Sequence, residues 1–280
     1  MILFCIPGAS ASAMMFIKWR KMFDGNVEVC PVELPGRGLR FRDALISDMK
    51  LLAKDLYRQI EKRLQTPYAI LGYCLGSIAA YELYGEINRN GAPPPKHFFL
   101  VSGATPDSQG DGATLFYNEK SKKYLTEIIH YLVGTQTHSG TEQTELFSES
   151  VSDYAFEKRG VVSESDVFVY AKMLHQYALP VRNPDGFARE ITNIVRIFNA
   201  DSVMLHRYKP EKPFRKIKVP TTMIWAEDDH LLSRLEPEKW RAFIDAPFEI
   251  IQVSGEHLFL FFEPSASIKV IKRRIEQIYV

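Results

Sequence analysis

Leu71-Gly72-Tyr73-Cys74-Leu75-Gly76 ends an apolar run that begins at Tyr68 and leads straight into Ser77-Ile78-Ala79-Ala80, which reads as a helix. Two glycines flank a cysteine in the spacing G-x-C-x-G. Glycines at both flanks let the chain turn sharply between a strand and a helix and hold the central side chain up, the geometry of a nucleophile elbow with sulfur in place of the usual serine. Small buried cysteines also occur at such turns. The reading therefore depends on what surrounds the stretch.

Upstream, Ile2–Ile6 reads as a buried strand, PGAS as a turn, Ala13–Phe23 as a helix and Val27–Val32 as the next strand. Between Met49 and Leu64, the positions Met49, Leu52, Ala53, Leu56, Ile60 and Leu64 recur at three and four, as one face of an amphipathic helix requires. Downstream, the helix of Ile78–Tyr84 should stop near Asn90-Gly91, and Pro93-Pro94-Pro95 forces an extended connection before the strand Phe98–Val101. After Ser102-Gly103-Ala104 no strand is legible until Thr221–Trp225, a gap far longer than the dozen or so residues a crossover needs. Tyr124–Val133 and Val167–His175 look helical within it, and Thr135–Gln143 is polar and reads as mobile. Alternation resumes with that strand, a helix near Leu235–Phe243, the strand Phe248–Val253 and a final helix Ile268–Tyr279. This order specifies an α/β fold with a mostly parallel sheet covered on both faces. The expected organisation is a core of residues 1–106 and 208–280, interrupted by a helical lid insertion at 107–207.

Composition excludes several classes. With 35 basic and 34 acidic residues and a formal charge of +1, no global field recruits nucleic acid or an anionic membrane. Cys5, Cys30 and Cys74 form no C-x-x-C pair, which argues against a disulfide framework and a zinc site and points to a reducing, cytoplasmic setting. No cofactor or metal of the protein's own is expected. The opening MILFCIPGASASA lacks the basic segment of a signal peptide and reads as the first strand, and no run is long enough for a membrane span.

In a parallel sheet, ligands bind beyond the carboxyl ends of the strands. Cys74 follows the Tyr68 strand, Asp229 the Thr221 strand in WAEDDHLL, and His257 the Phe248 strand in SGEHLFL. Nucleophile, acid, histidine is the chain order of α/β-hydrolases. A free cysteine, with a pKa of about 8.5, needs a neighbouring base to become thiolate. His257 would be that base, and a carboxylate accepting its Nδ1 proton would fix its tautomer. Asp229 is the first choice for that acid and Asp228 the alternative. The oxyanion of acyl transfer needs two main-chain donors. Leu75, after the nucleophile, and Ala9 in the PGAS turn, with Gly8 as alternative, stand where such donors are expected. Cys5 and Cys30 read as core, and Arg37 and Arg40 of PGRGLR as solvated loop charges, with capping or bridging near the mouth of the site as the alternative.

The runs LFCIPGASAS, VELPGRGLRF, LGYCLGSIAAYEL, FLVSGATPD, FNADSVMLHRYKP and SGEHLFLF resemble, in matching order, the type II thioesterases of nonribosomal peptide and polyketide pathways. The resemblance implies an α/β-hydrolase core with a helical lid, acting on acyl or peptidyl thioesters held on the phosphopantetheine arm of a carrier protein. It implies Cys74 as nucleophile, Asp229 as acid, His257 as base, and Ala9 and Leu75 as oxyanion donors. Three departures stand out. The family has serine at position 74, a His-Ala-Gly-Gly stretch at Gly8-Ala9-Ser10-Ala11, and a shorter insertion. The GYCLG stretch also resembles the cysteine elbow of dienelactone hydrolases.

Sulfur changes the expected chemistry, because an acyl-cysteine is itself a thioester and keeps its activation for amines, thiols or hydroxyls as well as water. Expected outcomes are therefore hydrolysis, or transfer and ring closure, with a silent carrier- or lipid-binding module as the alternative of another class. For an acidic carrier protein, Lys120, Lys122 and Lys123, or Arg215, Lys216 and Lys218, are candidate docking patches. Phe116, Tyr117, Tyr131, Tyr154, Phe156, Tyr170 and Tyr177 give the insertion aromatic content suited to a pocket or to a core of its own.

Overall fold

Four strands are mostly apolar and buried along their whole length, which is possible only in a sheet covered on both faces. The structure is a computed structural model that describes residues 1–23, 25–109, 119–137, 142–158, 164–232 and 236–278. Its strands are β1 (Ile2–Ile6), β2 (Glu28–Pro31), β3 (Tyr68–Tyr73), β4 (His97–Val101), β5 (Thr221–Ala226) and β6 (Phe248–Val253). All pair in parallel, in the order β2-β1-β3-β4-β5-β6. The fully buried strands are central, and the edge strands β2 and β6 are more exposed. Because β2 lies on one side of β1 and β3 on the other, the strand order reverses between β1 and β3. A crevice opens at such a reversal, beyond the carboxyl ends of the strands.

The helices are α1 (Met49–Ile60), α2 (Leu75–Arg89), α3 (Glu119–Thr137), α4 (Glu142–Glu157), α5 (Glu164–Gln176), α6 (Pro184–Arg207), α7 (Glu236–Lys239), α8 (Phe259–Phe262) and α9 (Ser265–Gln277). In α1 the buried residues are Met49, Leu52, Ala53, Leu56 and Ile60, the stripe expected, and the Asp48 side chain caps its start by accepting from Leu51 N at 2.8 Å. The segment after β1 is a 3-10 helix, Ala13–Lys21, where the sequence suggests an ordinary helix. It is pinned at its start by Glu33, whose buried carboxylate accepts from Ala13 N and the Ser12 hydroxyl. The predicted Leu235–Phe243 helix is shorter: α7 covers four residues and a 3-10 turn follows at Trp240–Phe243. Leu235 and Tyr279 lie outside the described residues.

The chain forms two compact units, Met1–Asp111 with Arg207–Val280, and Gly112–His206. The first holds the sheet. Its core includes Leu3, Phe16, Trp19, Leu71, Tyr73, Phe99, Ile224, Phe259 and Ile271. The second is helical, with Leu125, Ile129, Phe147, Val151, Tyr170, Leu174, Ile191 and Val195 buried. Tyr154 packs edge-on against Tyr170 and donates to Asp166, Phe156 lies against Phe198, and Tyr177 against Phe147. These aromatics build the helical unit's own core, while Tyr131 is exposed. Phe116, Tyr117 and residues 138–141 of the polar Thr135–Gln143 stretch lie outside the described residues. No described helix is long and apolar enough to cross a membrane.

Candidate active site

The glycines of the elbow are there for space. A Cβ on Gly72 would stand 2.2 Å from the carbonyl oxygen of Gly76, and a Cβ on Gly76 would stand 2.4 Å from that of Ile6. Each obstacle is main chain, so neither side chain could be accommodated by a rotamer change. Helix α2 can therefore start directly over the ends of β1 and β3. The Ser77 hydroxyl fastens this start by donating to Gly72 O at 2.8 Å. Cys74, between the glycines, has φ 53° and ψ −115°, a strained conformation for a residue with a Cβ. It is only partly buried and stands as the N-cap of α2.

The reversal of strand order brings the β1 turn to this cysteine. A Cβ on Gly8 would lie 3.2 Å from the Cβ of Cys74. Ala9 follows in the same turn and is buried, and Leu75 is the first residue of α2, where main-chain donors have no acceptor within the helix. Leu75 thus adjoins the sulfur-bearing residue in the chain, and Ala9 adjoins the glycine packed against it.

His257 is completely buried in the loop after β6, and its Nδ1 lies 2.8 Å from Asp229 Oδ2. The other oxygen of Asp229 accepts from Leu231 N at 3.0 Å and Leu232 N at 3.1 Å. Asp229 is buried; Asp228 is exposed, and its main-chain N donates to Gly255 O. The carboxylate that meets the imidazole is therefore that of residue 229. Burial acts to raise the Asp229 pKa, but the charge and hydrogen bond of His257, with lesser help from Leu232 N and the Ser102 hydroxyl, bring it below the usual range. For His257, burial acts to lower the pKa. The charges of Cys74 and Asp229, and the hydrogen bond to Asp229, push it up to about 10.

Sequence reasoning did not find two neighbours. Tyr73 donates from its phenol to His257 O at 2.7 Å, and Ser102, buried just past β4 with φ 41°, donates from its main-chain N to Ile224 O on β5 at 2.9 Å. Nothing local marks either, because their partners lie far along the chain. Other expectations change. Arg37 is buried, and Arg40 is partly buried and ion-paired with Asp55 and Asp43, so it is the bridging alternative that Arg40 follows, tying the loop after β2 to α1. Of the basic clusters, Lys122 pairs with Asp153 and Lys123 with Glu127; Arg215 reaches Glu82 at 3.6 Å and Tyr81 O at 3.2 Å, and Lys216 donates to Ala242 O. Cys5 is buried and Cys30 half-buried, and burial raises both thiols.

The model of the thioesterase domain matches residues 1–277. The chain belongs to the thioesterase domain family. Among curated relatives, the gramicidin S biosynthesis protein GrsT of Aneurinibacillus migulanus is 33% identical over 104 residues, which is 37% of this chain and 41% of GrsT. The chain spans about half the length of the curated relatives it matches. Among solved structures, RedJ, a thioesterase from the prodiginine pathway of Streptomyces coelicolor, aligns over 98% of this chain and 89% of its own with a TM-score of 0.68 and 23% identity. ClbQ, from the colibactin pathway, aligns over 99% and 98% with a TM-score of 0.69 and 22% identity. At these identities the structural likeness is one of fold: the parallel sheet with flanking helices is that of the α/β-hydrolase thioesterases.

Proposed function

We propose that this member of the thioesterase family opens acyl or peptidyl thioesters presented on the phosphopantetheine arm of a carrier protein, through an acyl-Cys74 intermediate. The reading rests above all on the buried Asp229–His257 hydrogen bond at 2.8 Å, joined electrostatically to a cysteine on a strained elbow. The Cys74 thiolate attacks the thioester carbonyl, and the main-chain N–H groups of Ala9 and Leu75 take up the oxyanion. As the tetrahedral adduct collapses, the bond to the pantetheine sulfur breaks and the His257 imidazolium gives that sulfur its proton. His257, now neutral, takes a proton from the second nucleophile as it attacks the acyl-Cys74 carbonyl. The carbon–sulfur bond to Cys74 then breaks, restoring thiolate and imidazolium. Asp229 stays ionised throughout and holds the imidazole in one tautomer.

The second nucleophile is water in the hydrolytic reading. Sulfur at position 74 favours a second reading, transfer to an amine, thiol or hydroxyl or ring closure, since the intermediate keeps its activation. Acyl-pantetheine thioesters incubated with the enzyme, with and without candidate amines, separate the two. Free acid without an added acceptor supports hydrolysis, and amide formed at the expense of acid supports transfer. Wild-type rates retained by Cys74→Ala would sink both, and a wild type that neither turns over nor takes up acyl groups would leave a binding module.

A further inference from the structure

Tyr73 immediately precedes Cys74, yet its side chain reaches the loop that carries His257. The phenol donates to His257 O at 2.7 Å, and the ring lies nearly parallel to the imidazole, centroids 5.7 Å apart at 27°. Tyr73 is fully buried, and Phe261 packs against it at 6.1 Å. This contact spans the sheet. β3 and β6 are separated by β4 and β5, so their ends stand about 14 Å apart at the usual strand spacing. The loop after β6 must therefore fold back over the strand ends, through Gly255 at φ 115°, for the imidazole to approach Cys74. Three anchors hold it there: Asp228 N on Gly255 O, Asp229 on the imidazole Nδ1, and Tyr73 on the His257 carbonyl. Of these, only Tyr73 adjoins the nucleophile in the chain, as the last residue of the strand that leads to it.

We propose that Tyr73 is a positioning residue, a staple that sets the imidazole of His257 relative to the Cys74 sulfur by tying the base's main chain to the nucleophile's own strand. The proposal rests on the reading of Cys74 and His257 as nucleophile and base. Removing the hydroxyl leaves the ring contacts intact but strips a buried carbonyl of its donor and frees the loop.

The test is Tyr73→Phe, assayed with an acyl-pantetheine thioester and by iodoacetamide alkylation of Cys74 across pH. We expect kcat to fall about tenfold with KM changed less than twofold, and the acid limb of the alkylation profile to move up by about one pH unit. Tyr73→4-aminophenylalanine, which restores a weaker donor, should win back about threefold in kcat and part of the shift in the profile. A variant that is only less heat-stable, with kcat and the alkylation profile unmoved, overturns the proposal. If Tyr73→Phe yields no folded protein, the 4-amino variant decides: its weaker donor should lower kcat about threefold at constant KM, and an unchanged kcat overturns the proposal. A parallel Cys74→Ala control separates two failures. Turnover that survives it overturns the site reading itself, whereas turnover that it abolishes but Tyr73→Phe leaves untouched overturns the role of Tyr73 alone.

Discussion

Two buried histidines stand at opposite ends of the same sheet, and their surroundings drive them in opposite directions. His257 follows β6 at the carboxyl ends of the strands and is pushed up to about 10; His97 opens β4 at the amino ends and is pushed down to about 4. Burial lowers both. What differs is the first partner. His257 meets a carboxylate directly and feels the charge of Cys74 as well. His97 Nε2 lies 2.9 Å from the Thr222 hydroxyl, which donates its single proton to Glu249 at 2.7 Å and so must accept from the imidazole. The charge of Glu249 acts to raise the His97 pKa, but Arg274, ion-paired with that carboxylate, opposes it. One histidine is held charged beside a carboxylate; the other is held neutral as part of the core.

The largest way to break this contrast is Asp229→Asn, which removes the anion on Nδ1 and offers the wrong tautomer. We expect turnover of an acyl-pantetheine thioester to fall about a thousandfold or more, measured in single-turnover experiments. His97→Gln should leave that rate within about twofold, because residue 97 lies at the other end of the sheet.

The second prediction concerns alkaline stability. The folded pKa of His257 lies above the unfolded value of about 6.5, so its contribution is complete below that pH and is lost as pH rises toward about 10. Urea midpoints of the wild type should decline across that window, and those of His257→Gln should lack this component. For His97 the sign reverses. Its folded value lies below the unfolded one, so the unfolded chain binds a proton first, and stability falls as pH drops from about 6.5 to about 4, by about 3 kcal/mol in all. Urea midpoints at pH 7, 5 and 4 should follow that loss in the wild type and not in His97→Gln. The smallest expected effect is that of Thr222→Val, which breaks the His97–Thr222–Glu249 chain at a cost of about 1 kcal/mol at pH 7 with turnover unchanged.

The same contrast marks what the sequence could tell. β1, β3, β4 and β5 were legible because strands buried on both faces are continuous apolar runs, and the elbow because Gly72 and Gly76 answer to main-chain obstacles at a fixed spacing. The order of Cys74, Asp229 and His257 was legible because each follows a strand in a parallel sheet. His97 carried no readable pattern, since its partners sit on β5 and β6. Tyr73 was hidden likewise, its acceptor lying on the loop after β6. Helix α6 escaped notice because Asn193, Asn199, Asp201 and Ser202 interrupt its apolar spacing, although Asp201 and Ser202 are buried with Ile197, Phe198, Met204 and Leu205.

Intact-protein mass spectrometry, after mixing the enzyme with an acyl-pantetheine thioester and quenching in acid, tests the central claim most directly. The account predicts one added acyl group, mapped by peptide analysis to Cys74, appearing in the wild type, persisting longer when Asp229→Asn slows release, and missing from Cys74→Ala. An unmodified wild-type chain under conditions where product forms, or an acyl group mapped to another residue, would contradict it.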